Sequence, residues 1–148
     1  MLRLLGPILV ASLVGCGPVS PYVYVRDVDL TKQTVVQSDS VHFPDSHWVA
    51  VVFTPQDFQR LSASDVDNLL SKARYSIQSD QDLRLVRFDE SFKKGNTLPP
   101  NTLYLFNVVG PGDGQFTVDF SDTGLPVKTF RIAVIKHPAA LKDPRVQW

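Results

Sequence analysis

The chain has 148 residues, 43% hydrophobic and 20% charged, with 15 Lys and Arg against 15 Asp and Glu, the proportions of one ordinary globular domain. A formal net charge of zero offers no cationic surface for a phosphate backbone, so nucleic acid is excluded as the expected partner. One cysteine, Cys16, rules out an intrachain disulfide, and with only three scattered histidines it cannot supply the four ligands of a structural zinc site.

The N-terminus carries one cation, Arg3, followed by an apolar run of 11 residues from Leu4 to Val14, too short to span a bilayer as a helix, which needs roughly 20. This pattern predicts a signal peptide over residues 1–15. The run closes on Leu13-Val14-Gly15-Cys16, which resembles the lipobox of bacterial lipoproteins: an aliphatic residue, a small or β-branched one, Gly or Ala, then Cys. The resemblance implies cleavage before Cys16 and covalent lipid on its thiol and new amino group. That fate suits a lone Cys exported to an oxidising compartment, where it would otherwise be an unpaired reactive thiol. Several acyl chains at about 0.8 kcal/mol per buried CH₂ anchor a protein stably without a membrane span. Gly17 rather than Asp follows Cys16, which in such lipoproteins implies sorting to the outer membrane, with the domain on its periplasmic face.

Gly17-Pro18-Val19-Ser20-Pro21 is a stiff tether, about 15 to 18 Å when extended, that completes residues 16–21 and holds the domain close to the bilayer. The domain itself is expected over residues 22–136. Tyr22 to Leu30 alternates as a strand, and Thr34-Val35-Val36 begins another. The nearly continuous apolar stretch Trp48 to Phe53 predicts a central strand buried on both faces. Val66, Leu69, Leu70, Ala73 and Ile77 fall on one stripe at helical spacing, with Ser62 or Ser64 as N-cap, so a helix is expected near residues 64–77. Leu83 to Phe88 is a further strand candidate, open to water because of Arg84 and Arg87.

Leu103 to Val109, Gly110 to Gly114 and the alternating Phe116, Val118 and Phe120 predict a hairpin, and Phe130, Ile132 and Val134 mark a last strand. About seven strands with one inserted helix predict a mostly β fold, an antiparallel β-sandwich of immunoglobulin-like, Greek-key type. His137 to Trp148 is expected to form an irregular tail that lies over the domain or hangs free.

No nucleophile elbow, phosphate-binding loop, zinc-protease or dinucleotide motif occurs, so the chain is not expected to be an enzyme. No cofactor beyond the lipid on Cys16, no metal and no small-molecule substrate are expected. His42 and His47 bracket one turn with Asp45 between them, and such a pair reads as surface residues sooner than as metal ligands. Gly110 to Gly114 reads as a tight turn needing positive φ, with Gly112 and Asp113 as candidate partner-binding positions should the loop instead approach a peptide. Phe92, the apolar residue of the polar loop around Asp89 to Asn96, is a second candidate anchor into a partner pocket.

In plan, such a domain is similar to the small outer-membrane lipoproteins that anchor envelope-spanning secretion machines, notably the type VI secretion lipoprotein. The expected role is therefore protein binding, as an anchor or assembly component of such a complex. The alternative is a periplasmic lipoprotein that inhibits a hydrolase, protease or lysozyme, by inserting the loops of residues 89 to 97 or 110 to 114 into its cleft. A glycan-binding accessory is a third option, and it would need a concave aromatic pocket.

Overall fold

The computed structural model describes residues 20–87 and 100–135. Nine strands and two helices follow in chain order. They are β1 (Tyr22–Asp29), β2 (Val35–Gln37), β3 (Val41–Phe43), β4 (Ser46–Val52), α1 (Pro55–Gln59), α2 (Ala63–Lys72), β5 (Arg74–Gln78), β6 (Arg84–Arg87), β7 (Thr102–Val109), β8 (Gly112–Asp119) and β9 (Thr129–Ile135). One sheet has the order β1-β9-β4-β7-β6. In the other, β8 is central, with β2 and β3 on one side and β5 on the other. Every pairing is antiparallel, and the molecule is the expected mostly β sandwich.

The core between the sheets is built from alternating residues of both: Val49, Val51, Phe106, Ile132 and Val134 from the larger sheet meet Val36, Phe43, Phe116 and Val118 from the smaller. Phe106 joins them most visibly, stacked on Tyr75 at 4.3 Å between ring centres and set edge-on to Phe116 at 6.1 Å. Leu69 of α2 and Ala73 behind it close this core on one side.

The helix near residues 64–77 is shorter than its stripe predicts. It runs from Ala63 to Lys72, Ala73 leaves helical geometry at ψ 130, and Arg74–Gln78 is a strand. Ile77 satisfies two periods at once, eleven residues after Val66 and two after Tyr75, and pairing with β8 selects the second. The start of the helix is set locally. Ser62 Oγ accepts the Asp65 amide at 3.1 Å and the Asp65 carboxylate accepts the Ser62 amide at 2.8 Å, a reciprocal cap that holds the Asp65 carboxyl below its ordinary pKa. The short helix α1, not anticipated, begins at Pro55 behind the cap Thr54.

The expected hairpin at Gly110 is instead a corner between sheets. β7 belongs to the large sheet and β8 to the small one, and the cis Gly110-Pro111 peptide lies between them. A Cβ on Gly110 would lie 2.5 Å from the Phe43 carbonyl oxygen and 3.0 Å from that of Asp45, so only glycine lets the chain pass this close. β2 and β3 are separated by a break that Ser38 bridges: its amide donates to the Phe116 carbonyl at 2.8 Å, and its buried hydroxyl accepts the Phe116 amide at 3.0 Å.

Candidate functional site

The register places the two ends of the sandwich unambiguously. Tyr22, Ile135, Trp48 and Asn107 lie in one row across the large sheet, near the turns at Pro44-Asp45 and Gly110-Pro111. The chain therefore enters β1 and leaves β9 at this end. The opposite end, one β1 length away or about 26 Å for its 8 residues, carries the β1–β2 turn, α1, the start of α2 and the start of β7.

Gly112 and Asp113 fall at the first end, and they are not in a loop. Both lie in β8, paired with Phe43 and His42, so the tight turn expected over residues 110–114 is confined to Gly110-Pro111. Asp113 is clamped from two sides. Its amide donates to Gln81 Oε1 at 2.8 Å, its carbonyl accepts from the Ser79 hydroxyl, and its carboxylate sits 2.7 Å from His42 Nδ1. This backbone has no free edge left for a peptide at that position. His47, paired 3.2 Å from Asp45, is buried, whereas His42 is exposed, so the two histidines do not converge. Among the described residues no three His, Cys, Asp or Glu side chains gather as metal ligands. Cys16, Phe92, His137 and Trp148 lie outside the described residues.

The feature that sequence reasoning missed is a groove of about 970 Å³ that runs along β1 and β9 to the far end of the sandwich. It is lined by Asp27 and Asp29 of β1, Thr129 and Arg131 of β9, Val52 of β4 and, at the far end, Phe53, Thr54, Pro55, Pro100 and Asn101. Arg131 stands opposite Asp27 in the β1–β9 register. Asp29 and Lys32 form a further pair at 3.5 Å on its rim. Two hydrogen bonds to Asp29 Oδ1, from the Thr31 hydroxyl at 2.6 Å and the Thr31 amide at 3.0 Å, hold that carboxyl below its ordinary pKa and fix the turn. Asn101 adopts φ 56, in the left-handed region that Asn tolerates, and its carbonyl accepts the Phe53 amide at 2.9 Å.

Charges of both signs alternate along this groove, so it presents no single-sign field for a phosphorylated or polyanionic ligand. A mix of apolar, polar and oppositely charged lining residues is the composition of a surface that binds protein. The only advance signal was the outward alternation of Val25, Asp27 and Asp29 on β1 with Arg131 on β9. A second, polar depression of about 580 Å³ lies between β1 and β2. Its amides are mutually engaged, with Gln37 donating to Gln115 at 3.1 Å and Gln115 to the Ser38 carbonyl at 2.7 Å, which leaves little to offer a ligand.

No protein family, no curated protein and no solved structure matches this chain. No helix among the described residues is long and apolar enough to cross a membrane.

Proposed function

We propose that this chain is an outer-membrane-anchored periplasmic lipoprotein that acts by protein binding, as an anchor or assembly component of an envelope-spanning, secretion-type complex. The lipid is carried by Cys16, and the partner segment lies in the groove formed by β1, β9 and the far-end loops. The supporting observation is the polarity of the sandwich. A tether of a few residues before Tyr22 holds the end bearing Gly110-Pro111 nearest the bilayer, and most of the groove lining, from Asp27 to Gln33 and from Phe53 to Pro55 with Asn101, lies toward the other end. A partner within the envelope meets that end first.

The hydrolase-inhibitor alternative loses part of its support, because Gly112 and Asp113 are strand residues held on both sides at the tether end and cannot enter a cleft as a loop. The test is affinity purification of the tagged protein from detergent-solubilised envelopes, beside Cys16→Ala and the groove variant Arg131→Glu. The expected result is a stoichiometric membrane protein with wild type, reduced with Cys16→Ala and lost with Arg131→Glu. Recovery of a soluble hydrolase with all three forms would reverse the reading, and an unlipidated wild type would remove its anchor.

A further inference from the structure

Among the described residues, the charged side chains that line the groove are Asp27, Asp29, Lys32 and Arg131, and they divide into two kinds. Asp29 is engaged: it accepts from Thr31 and stands 3.5 Å from Lys32. Asp27 and Arg131 stand directly opposite each other in the β1–β9 register, and both are exposed. Yet among the described residues neither makes an ion pair or a side-chain hydrogen bond. Arg74, equally exposed, shows the contrast by gathering two carboxylates, Asp119 at 3.0 Å and Asp122 at 3.1 Å. The Arg131 charge is felt instead at Tyr22, whose hydroxyl burial pushes up and Arg131 pulls down. Closing an exposed cross-strand pair adds little to a fold, so leaving this one open costs the sheet almost nothing. A carboxylate arriving from outside gains more, because a guanidinium can hold it through two parallel N–H donors.

We propose, resting on the reading of this groove as a protein site, that its occupant is an extended segment of another protein with an acidic and a basic side chain on one face, the acid on Arg131 and the base on Asp27. Side chains at i and i+2 of an extended chain stand about 7 Å apart on one face. The Cβ atoms of a directly opposed pair stand about 5 Å apart, a difference that the long Arg131 side chain spans. Val52, beside Arg131 in the β4–β9 register, and Val25, two residues before Asp27 and 42% exposed, are the apolar neighbours of this pair. A large apolar residue next to the two charges therefore completes the match. A segment charged with one sign alone is disfavoured, because it sets a like charge against Asp27 or Arg131. The lining continues past the strand ends to Pro55 and Asn101, so it is a groove and not a flat sheet face, and it suits a single extended chain better than the sheet of a second copy.

The test pans a phage library of random linear peptides on the full chain carrying Cys16→Ser and measures the enriched peptides by fluorescence anisotropy. Enriched peptides are expected to carry Asp or Glu two positions from Lys or Arg, beside an aromatic or aliphatic residue. Their affinity is expected to fall about tenfold or more with Arg131→Glu and with Asp27→Lys. Asp27→Arg combined with Arg131→Asp is expected to select peptides with the two charges in the reverse order. Thr129→Trp, which adds bulk to the groove without changing its charge, is expected to abolish binding of both sets. Because these side chains are exposed, the variants are expected to keep the fold, read by circular dichroism. Peptides lost with Thr129→Trp yet indifferent to the charge variants keep the groove as a protein site and overturn the charged match. Peptides indifferent to Thr129→Trp, or no enrichment at all, remove the groove itself and the match with it. A dimer of the chain in sedimentation, dissociated by Arg131→Glu and restored by the exchanged pair, gives the two charges to a second copy and also overturns the match.

Discussion

Tyr104 and Phe106 stand two positions apart on β7, which in a regular strand would put them on the same face, yet they belong to the two different apolar clusters. The cause is a bulge: Val49 pairs with Phe106 while the next residue, Ala50, pairs with Tyr104, so Leu105 is the extra residue that reverses the alternation. Phe106 packs against rings of the opposite sheet, Tyr75 and Phe116, whereas the ring beside Tyr104 is Trp48 of its own sheet, at 5.3 Å. Phe106 is thus held between two sheets, whereas the described members of the Tyr104 cluster all belong to one.

The sharpest way to test that contrast is to remove each ring. Phe106→Ala is expected to cost about 3–5 kcal/mol in chemical denaturation, because two sheets cannot close over the cavity. Tyr104→Ala is expected to cost less, since the described members of its cluster all belong to its own sheet and no second described layer has to close over the space. An equal loss at Tyr104 would mean that the outer face is packed as tightly as the core. Ser38→Ala addresses the layer that makes Phe106 secure. It leaves the buried Phe116 amide without its acceptor and is expected to cost about 1–3 kcal/mol in thermal unfolding, with Val36 and Val41 amides exchanging faster.

A smaller effect is expected for Ser62→Ala, about 1 kcal/mol, because α2 closes the core through Leu69 and its cap fixes where that helix begins. The least visible at neutral pH concerns Tyr104 itself. Burial, and secondarily the neighbouring Tyr22, pushes its hydroxyl from 10.0 up to about 12. The folded state then holds this proton more tightly than the unfolded chain does. The associated stability is fully present below pH 10 and is lost as pH rises to about 12. Ultraviolet titration is expected to show Tyr104 ionising last, near pH 12, with Tyr22 and Tyr75 also delayed by burial.

Much of this molecule was written in local chemistry. The run from Trp48 to Phe53 announced a strand buried on both faces because every position in it is apolar, and Arg84 and Arg87 announced the exposed edge strand that β6 is. The cap at Ser62, the outward alternation on β1 and the inward Phe116, Val118 and Phe120 on β8 could be read in the same way. The β5 strand escaped because Ile77 fits the helical and the extended period equally well.

What the sequence by itself determined was the class, an antiparallel sandwich with an inserted helix, since period and turn chemistry act over a few residues. Only the tertiary structure decided which sheet each strand joins, because the Gly110-Pro111 corner and a hairpin turn share the same glycine-rich composition, and their difference lies in the close approach to Phe43. It also decided the site. Asp27, Arg131, Phe53 and Asn101 are spread over 105 positions of the chain and meet along one groove because β1, β9 and β4 are neighbours in the sheet, a relation fixed by long-range pairing that no local pattern encodes.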